Sequence, residues 1–206
     1  MKTAVIIGNG KFPSMLLVQR YLSGADIIIC ADGGVNSLFE RGLKPHIVIG
    51  DMDSIKTHIK NRLPSNSIIV DKDANKTDTV KAVEYALKKG YKQIILMGVV
   101  GKRTDQTLGN ISIFKTHGNM GDIKIVTDHC EISLIHESIK FRGEIGQKIS
   151  LIPLLTAEGV TTEGLEYPLK NDTLSFNTLG ISNRVVSNPV TVSVKRGDLL
   201  LFKVFE

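Results

Sequence analysis

Cysteine and tryptophan are nearly missing from this sequence. Its 206 residues include two cysteines, Cys30 and Cys130, and no tryptophan. The cysteines form no Cys-x-x-Cys pair, so the sequence indicates neither a zinc site nor a disulfide framework. The five histidines also lack metal-ligand spacing, which argues against a zinc enzyme. We expect both cysteines to be reduced thiols in a cytoplasmic protein.

Long apolar runs and aromatic clusters are lacking as well. No run reaches the roughly 18 residues that a transmembrane helix requires, and Ala4–Ile7 is too short for a signal-peptide core. Aromatic residues make up 5% of the chain, so no stacking platform for nucleic acid is expected despite the net charge of +5. We therefore expect no nucleic-acid or membrane partner. A cationic surface would tolerate a small polyanionic substrate.

Short β-branched runs dominate the first part of the chain. They are Ala4–Ile7, Ile27–Cys30, Ile47–Ile49, Ile68–Val70, Ile94–Met97 and Ile123–Val126. These runs are mostly continuous rather than alternating, as in strands that are covered on both faces. Glycine and aspartate usually follow them, and helical patterns lie between several of them. This alternation predicts a mostly parallel α/β sheet.

Two of the helical patterns are well defined. Thr79–Lys89 has apolar residues on one face and stops before Gly90. Thr104–His117 stops before Gly118, and we expect Leu108, Ile111 and Phe114 to form its buried face.

The pattern changes after about residue 130, where short alternating segments such as VTVSV at 190–194 are separated by turn residues. Such segments are typical of an antiparallel β domain made of two small sheets. We therefore predict an N-terminal three-layer α/β/α domain over 1–130 with a mostly parallel sheet. A C-terminal antiparallel β-sandwich is predicted over 131–206.

Acids and glycines follow the predicted strands of the first domain. Ligands of open α/β sheets bind beyond the carboxyl ends of the strands, so these residues mark a candidate site. In any single loop, Asp and Gly are more often ordinary turn residues, and Asp78 could be only a helix N-cap. Several acids at one edge are harder to explain in that way.

The segment GDMDS at 50–54 places two of these acids, Asp51 and Asp53, two positions apart. If the segment is extended, both side chains point the same way. Three carboxylates about 5 Å apart would repel by roughly 3 kcal/mol per pair at an effective dielectric near 20. Raised pKa values or a bound cation must offset that repulsion. Oxygen ligands of this kind suit Mg²⁺, which commonly bridges to phosphates.

Two near-motifs fail. The segment from Gly98 to Thr104 has two residues between its glycines where a P-loop has four, and Lys102 is followed by Arg103. The Gly8-Asn9-Gly10 turn lacks the third glycine of a dinucleotide fingerprint. A glycine-lined turn with cations could still receive phosphate oxygens.

Several motifs together resemble the thiamine pyrophosphokinase family. They are ADGG at 31–34, GDMDS at 50–54, KTDTVKA at 76–82 and GVVGKRTDQTLGN at 98–110. The tail agrees too, with ISLIPL at 149–154, GVTTEGLEYPL at 159–169 and GISN at 180–183. The resemblance covers nearly the whole chain and matches the two-domain division.

This resemblance implies transfer of a diphosphate from ATP, the co-substrate, to the hydroxyethyl group of thiamine, with release of AMP. It implies Mg²⁺ held by Asp51, Asp53 and Asp78, with catalytic roles also for Lys81, Arg103 and Asp105. The residues implied to bind the nucleotide or thiamine are Asp32, Gly33, Gly34, Gly98, Gly101, Lys102, Asn110, Ser182 and Asn183. It further implies a homodimer, with thiamine between the α/β domain of one subunit and the β domain of the other.

The sequence departs from the family pattern in two places. Gln106 stands where the family usually has a histidine after the Asp of its Gly-x-x-Gly-x-Arg-x-Asp motif, and glutamine cannot titrate. The lack of tryptophan means that Tyr, Phe or an aliphatic side chain must contact thiamine. Three alternatives stay open: a diphosphotransferase with another alcohol acceptor, a non-catalytic thiamine or nucleotide binder, and a structural protein with ordinary acidic turns.

Overall fold

The computed structural model describes residues 1–205 and divides the chain into two compact units. The first is Met1–Asp128, and the second begins at His129. Within the described residues, no helix has the length and apolar character needed to cross a membrane.

The first unit contains a parallel sheet of six strands. In chain order they are β1 Thr3–Ile7, β2 Ile27–Ala31, β3 Ile47–Gly50, β4 Ile68–Val70, β5 Gln93–Met97 and β6 Asp122–Val126. Their spatial order is β6-β5-β1-β2-β3-β4, and each neighbouring pair is parallel. The parallel sheet predicted from the β-branched runs is therefore confirmed.

Helices cover both faces of this sheet. They are α1 Met15–Leu22, α2 Gly34–Phe39, α3 Thr57–Lys60, α4 Asp78–Lys88, α5 Thr104–Ile111 and α6 Ile113–His117, with short 3-10 turns at Ser65–Ser67 and Gly118–Met120. Val5 and Ile7 pack with Val18 of α1 and Leu38 of α2 in one apolar cluster. Helix α4 packs against β1, β2 and β3 but adds no residue to that cluster. Since successive strand side chains point to opposite faces, the two groups of helices form the outer layers of a three-layer unit.

The helix predicted over Thr104–His117 is two consecutive helices. The change falls at Ser112, whose hydroxyl donates to Gly109 O at 2.7 Å. Such side-chain bonds compete with the regular helical pattern, and glycine weakens the helix further. The expected buried face was also partly wrong, because Leu108 is 61% exposed whereas Phe114 is 1% exposed.

The second unit is an antiparallel β-sandwich, as predicted. Its strands are β7 Cys130–Ile135, β8 Ser138–Phe141, β9 Lys148–Pro153, β10 Thr156–Glu163, β11 Asp172–Ser175, β12 Asn183–Arg184, β13 Val190–Ser193 and β14 Leu199–Val204. One sheet has the order β12-β9-β14-β7 and the other β11-β10-β13-β8. Side chains from both sheets share one core, including Leu151, Val160, Val192 and Leu201.

Replacement of two leucines by alanine tests the core of the first unit. Leu38 of α2 is 0% exposed, and Leu16 of α1 is 82% exposed. We expect Leu38→Ala to lower the free energy of unfolding by about 2–5 kcal/mol, and Leu16→Ala by less than about 0.5 kcal/mol. Urea unfolding followed by far-UV circular dichroism measures both. Equal shifts for the two variants would contradict the packing described here.

Candidate active site

Two loops at the carboxyl edge of the parallel sheet are joined by backbone hydrogen bonds. Gly8 N donates to Met97 O at 2.8 Å, Gly10 N donates to Gly98 O, and Lys11 N donates to Val100 O at 2.8 Å. The approach requires glycine at position 10, because a Cβ there would lie 2.5 Å from Gly98 O. The loop after β1 therefore forms one wall together with the loop after β5.

The GDMDS segment is not extended, which corrects the expectation for Asp51 and Asp53. The chain leaves β3 at Gly50, and Met52 has a left-handed backbone with φ +69°. The Met52 side chain is 5% exposed and lies in the apolar core. The buried Met52 side chain holds the turn in place. Because Met52 is left-handed, Asp51 and Asp53 do not follow the two-residue alternation of a strand.

The side chain of Asp32, directly after β2, and that of Asn36 in α2 hold the end of this segment. Asp32 Oδ2 accepts a hydrogen bond from Ser54 N at 3.1 Å. The Asn36 amide donates to Ser54 O at 2.8 Å and accepts from Lys56 N at 3.0 Å. Asp32 and Asn36 thus fix the loop after β3 to the start of the neighbouring helix.

Asp78 is not the N-cap of α4, which removes one of the ordinary explanations for this acid. Thr77 is the cap, and its Oγ1 accepts from Val80 N at 3.4 Å. Asp78 is the first residue of the helix, a position where a negative charge is favourable. Its carboxylate is therefore free of the capping role and faces the other acids.

Three carboxylates form a tight group. Asp32, Asp51 and Asp78 each offer an oxygen, and these oxygens lie within 4.8 Å of one another. They come from the ends of β2 and β3 and the start of α4. Asp53, predicted as a metal ligand, is outside this group, and its Oδ1 accepts from Ser54 Oγ at 2.8 Å. Asp32, implied by the resemblance to bind the nucleotide or thiamine, is inside the group.

Lys81 is a buried cation that is hydrogen-bonded to this group. It is 6% exposed, and its Nζ donates to Asp78 Oδ1 at 3.0 Å and to Asp71 O at 2.9 Å. Burial lowers the pKa of Lys81, but the hydrogen bond to Asp78 and the charges of Asp78, Asp71 and Asp51 raise it, so that the net pKa lies above its ordinary value. Lys81 therefore stays charged and partly offsets the repulsion among the carboxylates.

Lys81 does not provide a partner for every oxygen of the carboxylate group, as Asp32 shows. The residue is 3% exposed, and its Oδ1 is buried without a hydrogen-bond partner among the described residues. Burial raises the pKa of Asp32, the hydrogen bonds with Ser54 lower it, the charge of Asp78 raises it, and the net pKa is above its ordinary value. A buried, unpaired carboxylate oxygen beside two further carboxylates is the donor set that a hard divalent cation requires. These residues therefore fit Mg²⁺.

Other acids at the same edge are turn residues. Asp71 Oδ1 accepts from Asp73 N at 2.9 Å, and Asp73 Oδ1 accepts from Asn75 N at 2.9 Å. Both are local Asx turns. For these two acids the ordinary structural explanation is sufficient.

A cleft of about 330 Å³ opens beside the three carboxylates. Seven of the predicted site residues line it: Asp32, Gly33, Asp78, Gly98, Lys102, Arg103 and Asn110. The predicted residues of the first unit that lie outside its lining are Gly34, Asp51, Asp53, Lys81, Gly101 and Asp105. The cleft therefore has acids on one side and the cations of the loop after β5 on the other, as a site for a phosphate ester with a bound cation would have.

Arg103 and Asp105 form an exposed ion pair at this cleft. Arg103 Nε donates to Asp105 Oδ1 at 3.2 Å, and Nη2 donates to Oδ2 at 2.5 Å. The hydrogen bonds from Arg103 hold the pKa of Asp105 below its ordinary value. Asp105 thus orients the guanidinium, whose remaining N–H groups can still donate to phosphate.

Asn110 is a predicted site residue, whereas several of its neighbours in the cleft were not predicted. Asn110 is 4% exposed, and its Nδ2 donates to Val99 O at 2.6 Å, which fixes the loop after β5. The lining residues that were not predicted include Asn9, Ser54, Thr77, Gln106 and Thr107. The sequence does contain a signal for Asn9, which lies between two glycines directly after β1, although these glycines form only part of a dinucleotide fingerprint.

The remaining predicted residues, Ser182 and Asn183, lie in the second unit. Ser182 has a left-handed backbone with φ +63°, and its N–H donates to Ser150 Oγ at 3.0 Å. The Asn183 amide accepts from Tyr167 N at 3.0 Å and donates to Tyr167 O at 2.7 Å. Asn183 therefore holds the backbone of Tyr167, whose side chain is exposed.

Both units match known family models. Residues 18–127 match the model described as thiamin pyrophosphokinase, catalytic domain, and residues 136–199 match thiamin pyrophosphokinase, vitamin B1 binding domain. The first match covers every acid of the carboxylate group, together with Lys81 and the cations of the cleft.

Curated relatives and solved structures agree with these models. Thiamine pyrophosphokinase 2 of Oryza sativa subsp. japonica is 30% identical over 97% of this chain and 85% of its own length. Thiamine pyrophosphokinase of Bacillus subtilis (strain 168) is 28% identical over 98% of this chain and 99% of its own length. A crystal structure of thiamine pyrophosphokinase from Bacillus subtilis superposes with a TM-score of 0.86 at 25% identity, covering 100% of both chains. The chain belongs to the thiamine pyrophosphokinase family.

Proposed function

We propose that this chain transfers the diphosphate of ATP to the hydroxyethyl group of thiamine, giving thiamine diphosphate and AMP. The thiamine oxygen forms a bond to the β-phosphorus, the bond between that phosphorus and the oxygen of the α-phosphate breaks, and the hydroxyl proton is released. The observation that supports this most is the group of three carboxylates, Asp32, Asp51 and Asp78, beside a cleft with cations on its other side. This group lies within the segment that matches the family's catalytic model.

The proposed metal is Mg²⁺, and Asp32, Asp51 and Asp78 would hold it. When bound, Mg²⁺ neutralises charge on the triphosphate and stabilises the transition state of an in-line displacement. The unpartnered Oδ1 of Asp32 supports this choice. Asp53 is a further predicted ligand from the family motif.

The chain's own cations supply the rest of the charge stabilisation in this proposal. Lys81 holds Asp78 in place through its 3.0 Å bond and keeps a positive charge next to the phosphates. Lys102 and Arg103 donate hydrogen bonds to phosphate oxygens at the other side of the cleft. Gln106 lines the cleft but cannot accept a proton from the thiamine hydroxyl. The transfer therefore depends on positioning and charge rather than on a base at position 106.

Thiamine recognition is assigned to the second unit in this proposal. Residues 136–199 match the vitamin B1 binding model, and they include Ser182 and Asn183. We propose a homodimer in which thiamine lies between the α/β domain of one subunit and the β domain of the other. A cytoplasmic location and the lack of nucleic-acid or membrane partners stay predictions from the sequence.

One other function has a specific observation in its favour. Gln106 replaces the histidine that the family usually has, so a binder of thiamine or nucleotide without activity is the second candidate. A transferase acting on a different alcohol is a variant of the first.

The proposed reaction is tested by incubation of the full chain with thiamine, ATP and Mg²⁺, followed by chromatography. We expect AMP and thiamine diphosphate to appear in equal amounts, and addition of a chelator to stop both. Tight binding of thiamine or ATP without product would favour the binder, and AMP without thiamine diphosphate would indicate a different acceptor.

Two matched variants in this assay separate the roles of the acids in GDMDS. Asp51→Asn removes one charge from the carboxylate group, and we expect kcat to fall by roughly 100-fold or more, with the fold retained. Asp53→Asn has the same effect if Asp53 is also a ligand. An Asp53→Asn chain with unchanged kcat would contradict the metal role of Asp53, and an active Asp51→Asn chain would contradict that of the group.

Asp32→Asn tests the electrostatic cost of the site. Folding raises the pKa of Asp32. Protonation of Asp32 therefore stabilises the folded chain at a pH below the unfolded-state pKa. This stabilisation is lost as the pH rises through the folded-state pKa. At pH 7.5 without divalent ions, the ionised Asp32 therefore destabilises the chain. We expect Asp32→Asn to raise the melting temperature there by about 3 °C and to lose activity.

The pH dependence and the metal provide the controls for this variant. The gain in melting temperature should shrink as the pH is lowered through the raised folded-state pKa of Asp32, because Asp32 of the unsubstituted chain then gains its proton. Excess Mg²⁺ should stabilise the unsubstituted chain at pH 7.5 more than Asp32→Asn. A lower melting temperature for Asp32→Asn at pH 7.5 would contradict this account.

A further inference from the structure

Gly50, the last residue of β3, lies between two of the clustered carboxylates. Its backbone φ is +155°. A Cβ at this position would lie 2.7 Å from Asp32 Cβ and 3.1 Å from both Cγ and Oδ1 of Asp78. The first distance is shorter than real Cβ contacts, and the second is tighter than nearly all of them. Asp32 and Asp78 can therefore approach each other this closely only because residue 50 has no side chain.

The surrounding structure leaves Asp32 and Asp78 little room to give way. Asp32 N donates to Ile49 O at 2.8 Å, and Asp32 Oδ2 is bonded to Ser54 N. Asp78 is bonded to the buried Lys81. Gly50 itself is fixed, since its carbonyl accepts from Asp71 N at 2.8 Å. A methyl group at position 50 would thus push the carboxylates of Asp32 and Asp78 apart.

The separation of ligands decides which cation fits. Mg²⁺ requires oxygen ligands at about 2.0–2.1 Å in near-octahedral geometry, whereas Ca²⁺ accepts about 2.3–2.6 Å in flexible geometry. A group that is forced apart loses more affinity for the smaller ion than for the larger one.

We infer that Gly50 is a positioning residue that sets the distance between Asp32 and Asp78 and thereby makes the site select Mg²⁺ over Ca²⁺. This inference rests on the proposed function, because it concerns the metal of the same site. It assigns to the first residue of GDMDS a role distinct from that of the acids: Gly50 touches neither metal nor substrate and acts through Asp32 and Asp78.

The test is calorimetric titration of the full chain with Mg²⁺ alone and with Ca²⁺ alone. We expect Gly50→Ala to weaken Mg²⁺ binding by roughly tenfold or more and Ca²⁺ binding by less, so that the preference for Mg²⁺ falls. Gly42→Ala is the control, since Gly42 has φ +74° and a Cβ there would meet no atom of the described residues within 4 Å, apart from its chain neighbours. It places an alanine at another positive φ away from the site and should leave both affinities unchanged.

Unchanged Mg²⁺ affinity and selectivity in Gly50→Ala would overturn the inference while leaving the proposed function in place. If the unsubstituted chain bound no Mg²⁺, the proposed metal site itself would fail, and the inference with it. The two failures are therefore distinguishable.

If Gly50→Ala folds poorly, Asp32→Gly in both backgrounds tests the steric contact between residues 50 and 32. Asp32 has φ +39°, a conformation that glycine adopts readily, so Asp32→Gly removes the Cβ that the new methyl would meet. We expect Asp32→Gly to raise the melting temperature more in the Gly50→Ala background than in the unsubstituted chain, as a double-mutant cycle would reveal. An equal effect in the two backgrounds would overturn the steric basis of the inference.

Discussion

Mutual repulsion of three carboxylates is the constraint on which the rest of this site depends. Their oxygens lie within 4.8 Å of one another, which corresponds to roughly 3 kcal/mol of repulsion per pair at an effective dielectric near 20. Lys81 offsets part of this repulsion through Asp78, but Asp32 Oδ1 is buried and has no hydrogen-bond partner in the part of the chain that the structure describes. The fold thus holds an arrangement that is unfavourable by itself and becomes favourable with a divalent cation. This is the expected cost of a preorganised site.

Local turns, hydrogen bonds and a buried side chain hold the carboxylates in place against that repulsion. Met52 turns the chain through a left-handed conformation and buries its side chain, while Asn36 and Asp32 bind the end of the same loop. Thr77 caps α4, so that Asp78 at the next position serves the site. Each of these interactions is local, yet together they bring the ends of β2 and β3 and the start of α4 next to one another. Stability and function therefore compete at Asp32, where the group that the reaction needs is the one that burial penalises.

Much of this arrangement could be predicted from the sequence, because continuous β-branched runs dictate buried parallel strands and such strands gather their carboxyl ends at one edge. The conformation of GDMDS could not. An extended segment was expected there, but the left-handed Met52 between Asp51 and Asp53 breaks the strand pattern. Leu108 was placed in the core by helical periodicity, which does not reveal that the helix changes at Ser112 and leaves Leu108 exposed. Tertiary contacts decided both cases.

The central claim is that Asp32, Asp51 and Asp78 together hold the cation. Anomalous diffraction from crystals of the full chain soaked with Mn²⁺ tests it most directly, because Mn²⁺ takes the same oxygen ligands as Mg²⁺ and scatters anomalously. The account predicts an anomalous peak within coordination distance of one oxygen from each of the three residues. A Mn²⁺ peak elsewhere in the cleft, with Asp32 Oδ1 still without a ligand, would contradict it.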